Sequence, residues 1–244
     1  MIVTILFKKI LRTSGVLLLL VGTNLSAAQS QAEEIMLNAY RYIGSMDKYA
    51  FEAIVNDDLE ATGPAARLYK QNISVKVDRP GNFRIDITGD RKNRSKYLDN
   101  GTFTIFDHGN KYYGQIKAAD TIDETLDLLD EKYGFLTPLS ALFYSDMDRR
   151  TKLNAGKYFG KTKVDGVECN YVAFKNKNTI IHIWIASGDK PLIRSYRIID
   201  KTVNQNNNSG GFLKWKTNTE ISDNDFVFIA PEGAEKISVN SASR

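Results

Sequence analysis

The residues able to do chemistry are few and scattered. The chain carries two histidines, His108 and His182, and one cysteine, Cys169. A metal site needs a cluster of His, Cys, Asp or Glu ligands at matched spacing, and neither histidine has a partner at i+3 or i+4. His108 stands in the turn-like "FDHGNK", and His182 alternates with isoleucines in "IIHIWIA". No G-x-S-x-G elbow, H-E-x-x-H helix, phosphate-binding glycine loop or dinucleotide fingerprint occurs. Acid pairs such as Asp57-Asp58 sit in hydrophilic stretches and read as surface, although carboxylates assembled across strands would leave no mark in a sequence. Cys169 lies in the strand pattern "GVECNYVAF" and reads as a small buried hydrophobe. The expectation is a protein that is not an enzyme, with no catalytic group, no metal and no cofactor.

Such a chain acts through its surfaces and cavities, so its elements matter more than any single side chain. The first 28 residues hold Lys8, Lys9 and Arg12, then an apolar run from Gly15 to Leu25, then Ser26-Ala27-Ala28. That is the three-part pattern of a secretory signal peptide cleaved near Ala28. Its apolar core is shorter than the roughly 20 residues of a spanning helix, and no later stretch offers a transmembrane segment. The expected organisation is a leader over 1–28 and a single domain over 29–244, exported to the periplasm. Of the 33 basic residues, three lie in the leader, which leaves 30 against 29 acids. A near-neutral mature chain argues against a nucleic-acid partner. The one dense basic run, "GDRKNRSK" (Gly89 to Lys96), reads as a solvated hairpin tip.

Hydropathy alternates along most of the chain. Ile73, Val75 and Val77 share a face in "NISVKVDRP", as do Phe83, Ile85 and Ile87 in "NFRIDITGD". Phe103 and Ile105 continue the pattern, which Phe106 breaks. Asp165-Gly166 marks a hairpin. Ile181, Ile183 and Ile185 alternate before a Gly188-Asp189 turn, with Pro191 opening the return strand. "NQNNNSGG" (Asn204 to Gly211) reads as a loop between strands. About ten strands at such short spacing give an antiparallel meander. Helical spacing appears at Ile35, Met36, Ala39, Tyr40 and Ile43 with Gly44 as its stop. It appears again after Thr121, where Glu124 completes a capping box, Leu126 and Leu129 share a face, and Gly134 ends the run. A short third helix is expected from Pro138. The fold class is α+β, mainly β: a curved antiparallel sheet with helices over its apolar face.

Several blocks carry a resemblance. "VKVDRPGNFRIDI" followed by "YLDNGTFTIFDHGNKYY" resembles the strand pair and hairpin of the bacterial lipoprotein-carrier (LolA-like) superfamily. The order "RPGNFRID", "TIDETLDLL", "YG", "PLSALF", "YFGKTKVDGVECNYVAF", "IWIASGDKPLIRSYRI" and "FVFIAPEGAEKI" resembles a family of predicted periplasmic proteins of unknown function within it. That family has a histidine shortly after the cysteine, where this chain reads Cys169-Asn170-Tyr171. The carriers also tie their helical lid to the sheet through an arginine that no motif marks here. What the resemblance implies is a half-barrel whose concave face accepts an acyl chain or another hydrophobic ligand.

The candidate lining is then Ile73, Val75, Val77, Phe83, Ile85, Ile87, Phe103, Ile105, Ile181, Ile183 and Ile185, with Met36, Tyr40, Ile43, Leu126 and Leu129 as the lid. The same alternation describes a closed core equally well. Two partners fit such a fold: a lipid or acylated ligand held in the half-barrel, or an envelope protein docked on a sensor module.

Overall fold

The computed structural model describes residues 21–57, 69–90, 92–135, 139–201, 207–216 and 219–241. Most of the expected leader lies outside them. Twelve strands form one sheet: β1 (Lys48–Asp57), β2 (Tyr69–Asp78), β3 (Asn82–Gly89), β4 (Asn93–Asp99), β5 (Thr102–Asp107), β6 (Tyr112–Lys117), β7 (Lys157–Val164), β8 (Val167–Lys175), β9 (Thr179–Ala186), β10 (Ile193–Asp200), β11 (Asn207–Lys216) and β12 (Glu235–Ile237). Their order is β12-β6-β5-β4-β3-β2-β1-β11-β10-β9-β8-β7. Two antiparallel meanders, β1 to β6 and β7 to β11, therefore meet at a central seam where Ala50 to Asp57 of β1 pair with Lys216 to Ser209 of β11. Only β12 is parallel to its neighbour, pairing with β6 at the edge. The sheet is open and curved.

The helices sit where the sequence placed two of them. α1 (Val21–Gly44) ends at the expected glycine but starts further upstream than its acidic segment suggested. Gly44 does more than stop it: a Cβ there would lie 2.2 Å from the Ser145 carbonyl oxygen, so the close approach of helix and lid segment requires glycine. α2 (Ile122–Tyr133) has Thr121 as its N-cap, accepting from the Glu124 backbone N–H, and Gly134 in the left-handed conformation as its C-cap. The expected third helix is only a 3-10 turn over Ser140–Leu142, its predicted start at Pro138 lying outside the described residues. A one-turn helix, α3 (Met147–Arg150), follows instead.

Three strand readings need correction. β1 is central and was not marked by any clean alternation. The Asn/Gly-rich run expected as a loop is strand from Asn207 onward, because β1 and β10 flank it and their ladders override its composition. The return strand after Gly188-Asp189 begins at Ile193 rather than Pro191, since proline has no N–H to give the ladder. The Asp165-Gly166 hairpin forms as read, with both residues at positive φ.

The inner face of the sheet and the helices enclose one apolar cluster. At its centre Phe143 stands edge-on to Phe51 at 6.4 Å and to Phe83 at 5.6 Å, with Trp215 4.9 Å from Phe51. The outer face is covered over β4 to β6 by the C-terminal segment, where Phe228 packs on Tyr97, Phe106 and Tyr113. That explains why Phe106 breaks the alternation: it is buried on the outer side.

Candidate functional site

Strand pleating sends Ile73, Val75, Val77, Phe83, Ile85, Ile87, Phe103, Ile183 and Ile185 to the concave face, where all are buried in the central cluster. Ile105 and Ile181 are partly buried against it. From the lid, Met36 and Ile43 of α1 and Leu126 and Leu129 of α2 join the same cluster, and Tyr40 packs on it. Sheet and lid residues read separately from the sequence thus meet across one interface. Burial pushes the Tyr40 phenol up to about 12. Beside Ile105, the slot bounded by Phe103, Gly114, Ile116, Phe135 and Val239 admits no water-sized sphere, so the packing is tight here.

One arginine fastens the lid. Arg79, at the β2–β3 turn, donates from Nε to the Met46 carbonyl oxygen at 3.1 Å and from Nη1 to that of Phe143 at 2.6 Å. Its Nη2 reaches the Tyr49 hydroxyl at 3.3 Å, and Asp123 of α2 lies 3.8 Å away. Tyr49 in turn donates to the Leu142 carbonyl oxygen at 2.5 Å. Burial holds the Tyr49 phenol above its ordinary range, so it stays a neutral donor. A single guanidinium therefore joins the sheet, the end of α1, α2 and the segment carrying Phe143. Its fixed fork of donors suits this better than a lysine would. The lid is also cross-braced: Asp127 accepts from Tyr144 at 3.0 Å and from Arg150 at 2.9 Å, while Asp123 accepts the Ser145 backbone N–H at 3.0 Å.

Sequence reasoning missed Arg79, Phe143 and Lys96. The dipeptide Arg79-Pro80 stood in the block that carried the resemblance, yet its partners come from three distant segments. Lys96 corrects the reading of Gly89–Lys96 as a solvated tip. β3 runs to Gly89 and β4 begins at Asn93, so Lys96 lies within β4, where it is 8% exposed. It is paired with Ile85 and Ile105 and shares the inner face with Leu98. Burial first, then the nearby Lys92 and Arg94, push its pKa down to about 8.

The groups weighed for catalysis stay apart. His108 Nε2 lies 2.7 Å from Ser95 Oγ, and His182 Nδ1 lies 2.7 Å from the Tyr171 hydroxyl, on the outer side of the sheet. Cys169 is buried and free, its thiol pushed up by burial. Among the described residues no group of three His, Cys, Asp or Glu is placed to hold a metal ion, and no helix is long and apolar enough to cross a membrane.

An open curved sheet carrying helices over its concave face is a half-barrel. The chain belongs to the family described as Predicted periplasmic protein (DUF2092), whose model matches residues 32–240, and its location is the periplasm. In fold it is similar to an uncharacterized conserved protein from Thermus thermophilus, at 8% identity and a TM-score of 0.50, covering 85% of this chain and 99% of that one. It is also similar to LprF from Mycobacterium bovis, at 12% identity and a TM-score of 0.42 over 84% of this chain and 98% of that one. A LolA superfamily protein from Nitrosomonas europaea matches at 11% identity and a TM-score of 0.37, over 81% of this chain and 97% of that one. No curated protein matches the sequence.

Proposed function

We propose that this protein binds or carries a hydrophobic, lipid-like ligand between the concave face of the half-barrel and its helical lid, without catalysis. The observation that supports it is the division of labour at that interface. An apolar face built from isoleucine, valine and phenylalanine is covered by separate lid pieces that the polar Arg79 cluster fastens at one end. A lid held this way opens about its fastened end without unfolding the sheet. The lipoprotein-carrier superfamily that the motifs resemble uses the same space for acyl chains. Each buried methylene contributes about 0.8 kcal/mol, so a chain of about 14 carbons gains roughly 10 kcal/mol before ordering costs.

Native mass spectrometry on protein purified from its own envelope, followed by solvent extraction, tests this. A bound mass that extracts as an acyl-containing molecule supports carriage. An empty protein that also takes up no lipid-like probe overturns it and turns attention to docking of an envelope protein. The free edge of β7, where Phe159 is 47% exposed, is the surface such docking would use. A register shift between Tyr158 and Lys161 interrupts that edge and disfavours strand addition, which is why carriage is the first reading.

A further inference from the structure

Lys96 is out of keeping with its surroundings. Its cross-strand neighbours on the inner face are Ile85, which is fully buried, and Ile105. Two residues away, Arg94 is already engaged, its Nε 2.8 Å from Asp107. Lys96 makes no hydrogen bond or ion pair with the described residues, and the charges that act on it, Lys92 and Arg94, are both positive. An ammonium 8% exposed, without a counter-charge and repelled by two cations, costs stability that an isoleucine or methionine would not. A β-strand facing only a hydrocarbon core has no use for it. A strand facing an amphiphile does, because an anion brought beside it supplies the missing partner.

We infer that Lys96 anchors the anionic head group of an acyl amphiphile, a carboxylate or a phosphate, whose hydrocarbon tail lies along the inner-face isoleucines beneath the lid. This rests on the carriage proposed above and names the class of ligand. The neighbouring ground suits it. Ile105 borders the narrow slot closed by Phe135 and Val239, so apolar surface begins one residue from the ammonium. Charge-assisted pairing at a site this poorly hydrated is worth about 10- to 100-fold in affinity.

The test compares laurate, dodecyl phosphate and dodecanol, which share one tail, on purified protein and on Lys96→Met at pH 7. Methionine conserves volume and length, so the variant is expected to fold. The expected result is that wild type binds one or both anions about 10- to 100-fold more tightly than the alcohol. Lys96→Met then binds all three alike, at the affinity of wild type for the alcohol. Whichever anion binds more tightly identifies the head group as carboxylate or phosphate. Equal binding of the three probes by wild type, or a preference that survives in Lys96→Met, overturns the anchor and leaves carriage standing. Loss of the alcohol along with the anions in Lys96→Met also overturns it, because the lysine would then be structural. Failure of wild type to bind any probe removes carriage itself and the anchor with it.

Discussion

Arg79 Nη1 lies 2.6 Å from the carbonyl oxygen of Phe143, and this bond links the β2–β3 turn to the residue at the centre of the apolar cluster. Phe143 has no regular helix around it to fix its backbone, only a 3-10 turn. The guanidinium supplies that positioning from outside the segment. The same side chain engages Met46 and Tyr49, so the lid and the sheet share one polar fastening inside an otherwise apolar interface.

Removing the guanidinium should loosen the lid more than the sheet. Arg79→Ala leaves two carbonyl oxygens and the Tyr49 hydroxyl without their donor in a site where the arginine side chain is 8% exposed. The expected loss is about 2–4 kcal/mol in denaturant unfolding. Amide exchange should rise first in α2 and around Phe143. A loss below about 0.5 kcal/mol would show that the fastening carries no weight.

The buried ammonium gives a pH-dependent test. The Lys96 pKa falls from 10.5 in the unfolded chain to about 8 in the fold. Between those values the unfolded state binds more protons, so stability rises with pH across that window. The full cost, roughly 3 kcal/mol at most, is present below about pH 8 and is gone once both states are neutral. Ile85 and Ile105 on the flanking strands are uncharged, and Asp107 is held by Arg94, so no acid masks the effect. Lys96→Met should therefore be more stable than wild type at pH 7, with the difference shrinking toward pH 10.5. A difference that stays flat over this range would mean the lysine is not held at the buried face.

Ile85→Glu and Ile183→Glu place an unpaired carboxyl in the apolar cluster, at positions 0% and 7% exposed. Each should unfold the protein or abolish uptake of a lipid-like probe, a loss of about 3–5 kcal/mol or more. Circular dichroism melts of the two variants, followed by probe binding, would check this. Wild-type stability together with wild-type binding would mean these residues face outward.

At the sheet edge, Gly114 leaves the space that Val239 fills: a Cβ built there comes 2.4 Å from Val239 Cγ2. Gly114→Leu should expel the C-terminal segment from the slot and unzip the three-residue β12. Limited proteolysis would then cut near residues 235–241 faster than in wild type, with only a modest change in melting temperature. Unchanged cleavage would show that the segment is held by something other than this contact.

The parts of the fold governed by local pattern were legible. Alternating isoleucines, valines and phenylalanines marked the inner face, and the Thr121 cap with Gly134 bounded α2, because those signals act within a few residues. β1 was not legible. Its outer positions include Ala50 and Ile54, so "KYAFEAIV" does not alternate cleanly with polar residues. The outer-face role of Phe106 depends on Phe228, more than a hundred residues later. Arg79 and Lys96 were visible as residues but not as parts of a site. The first takes its meaning from carbonyls at Met46 and Phe143, and the second from having no acid paired with it among the described residues. Lys96 did leave one signal, since it stands two residues before Leu98 and strand pleating puts both on one face.

The seam between β1 and β11 sets a kinetic problem for an exported chain. Each meander consists of neighbouring hairpins and can zip locally, but Ala50 must wait for Lys216 before the two halves join. Until then β1 presents an unpaired edge and the inner face stands uncovered on one side. The rate of joining, rather than the stability of either half, decides how long that surface stays exposed to aggregation. Substitutions at Val55 or Leu213, within the seam, would act on folding speed, whereas changes in the β3–β4 hairpin would be felt in local opening. An amphiphile that reaches the half-built face before the seam closes would find its binding surface without having to lift the lid.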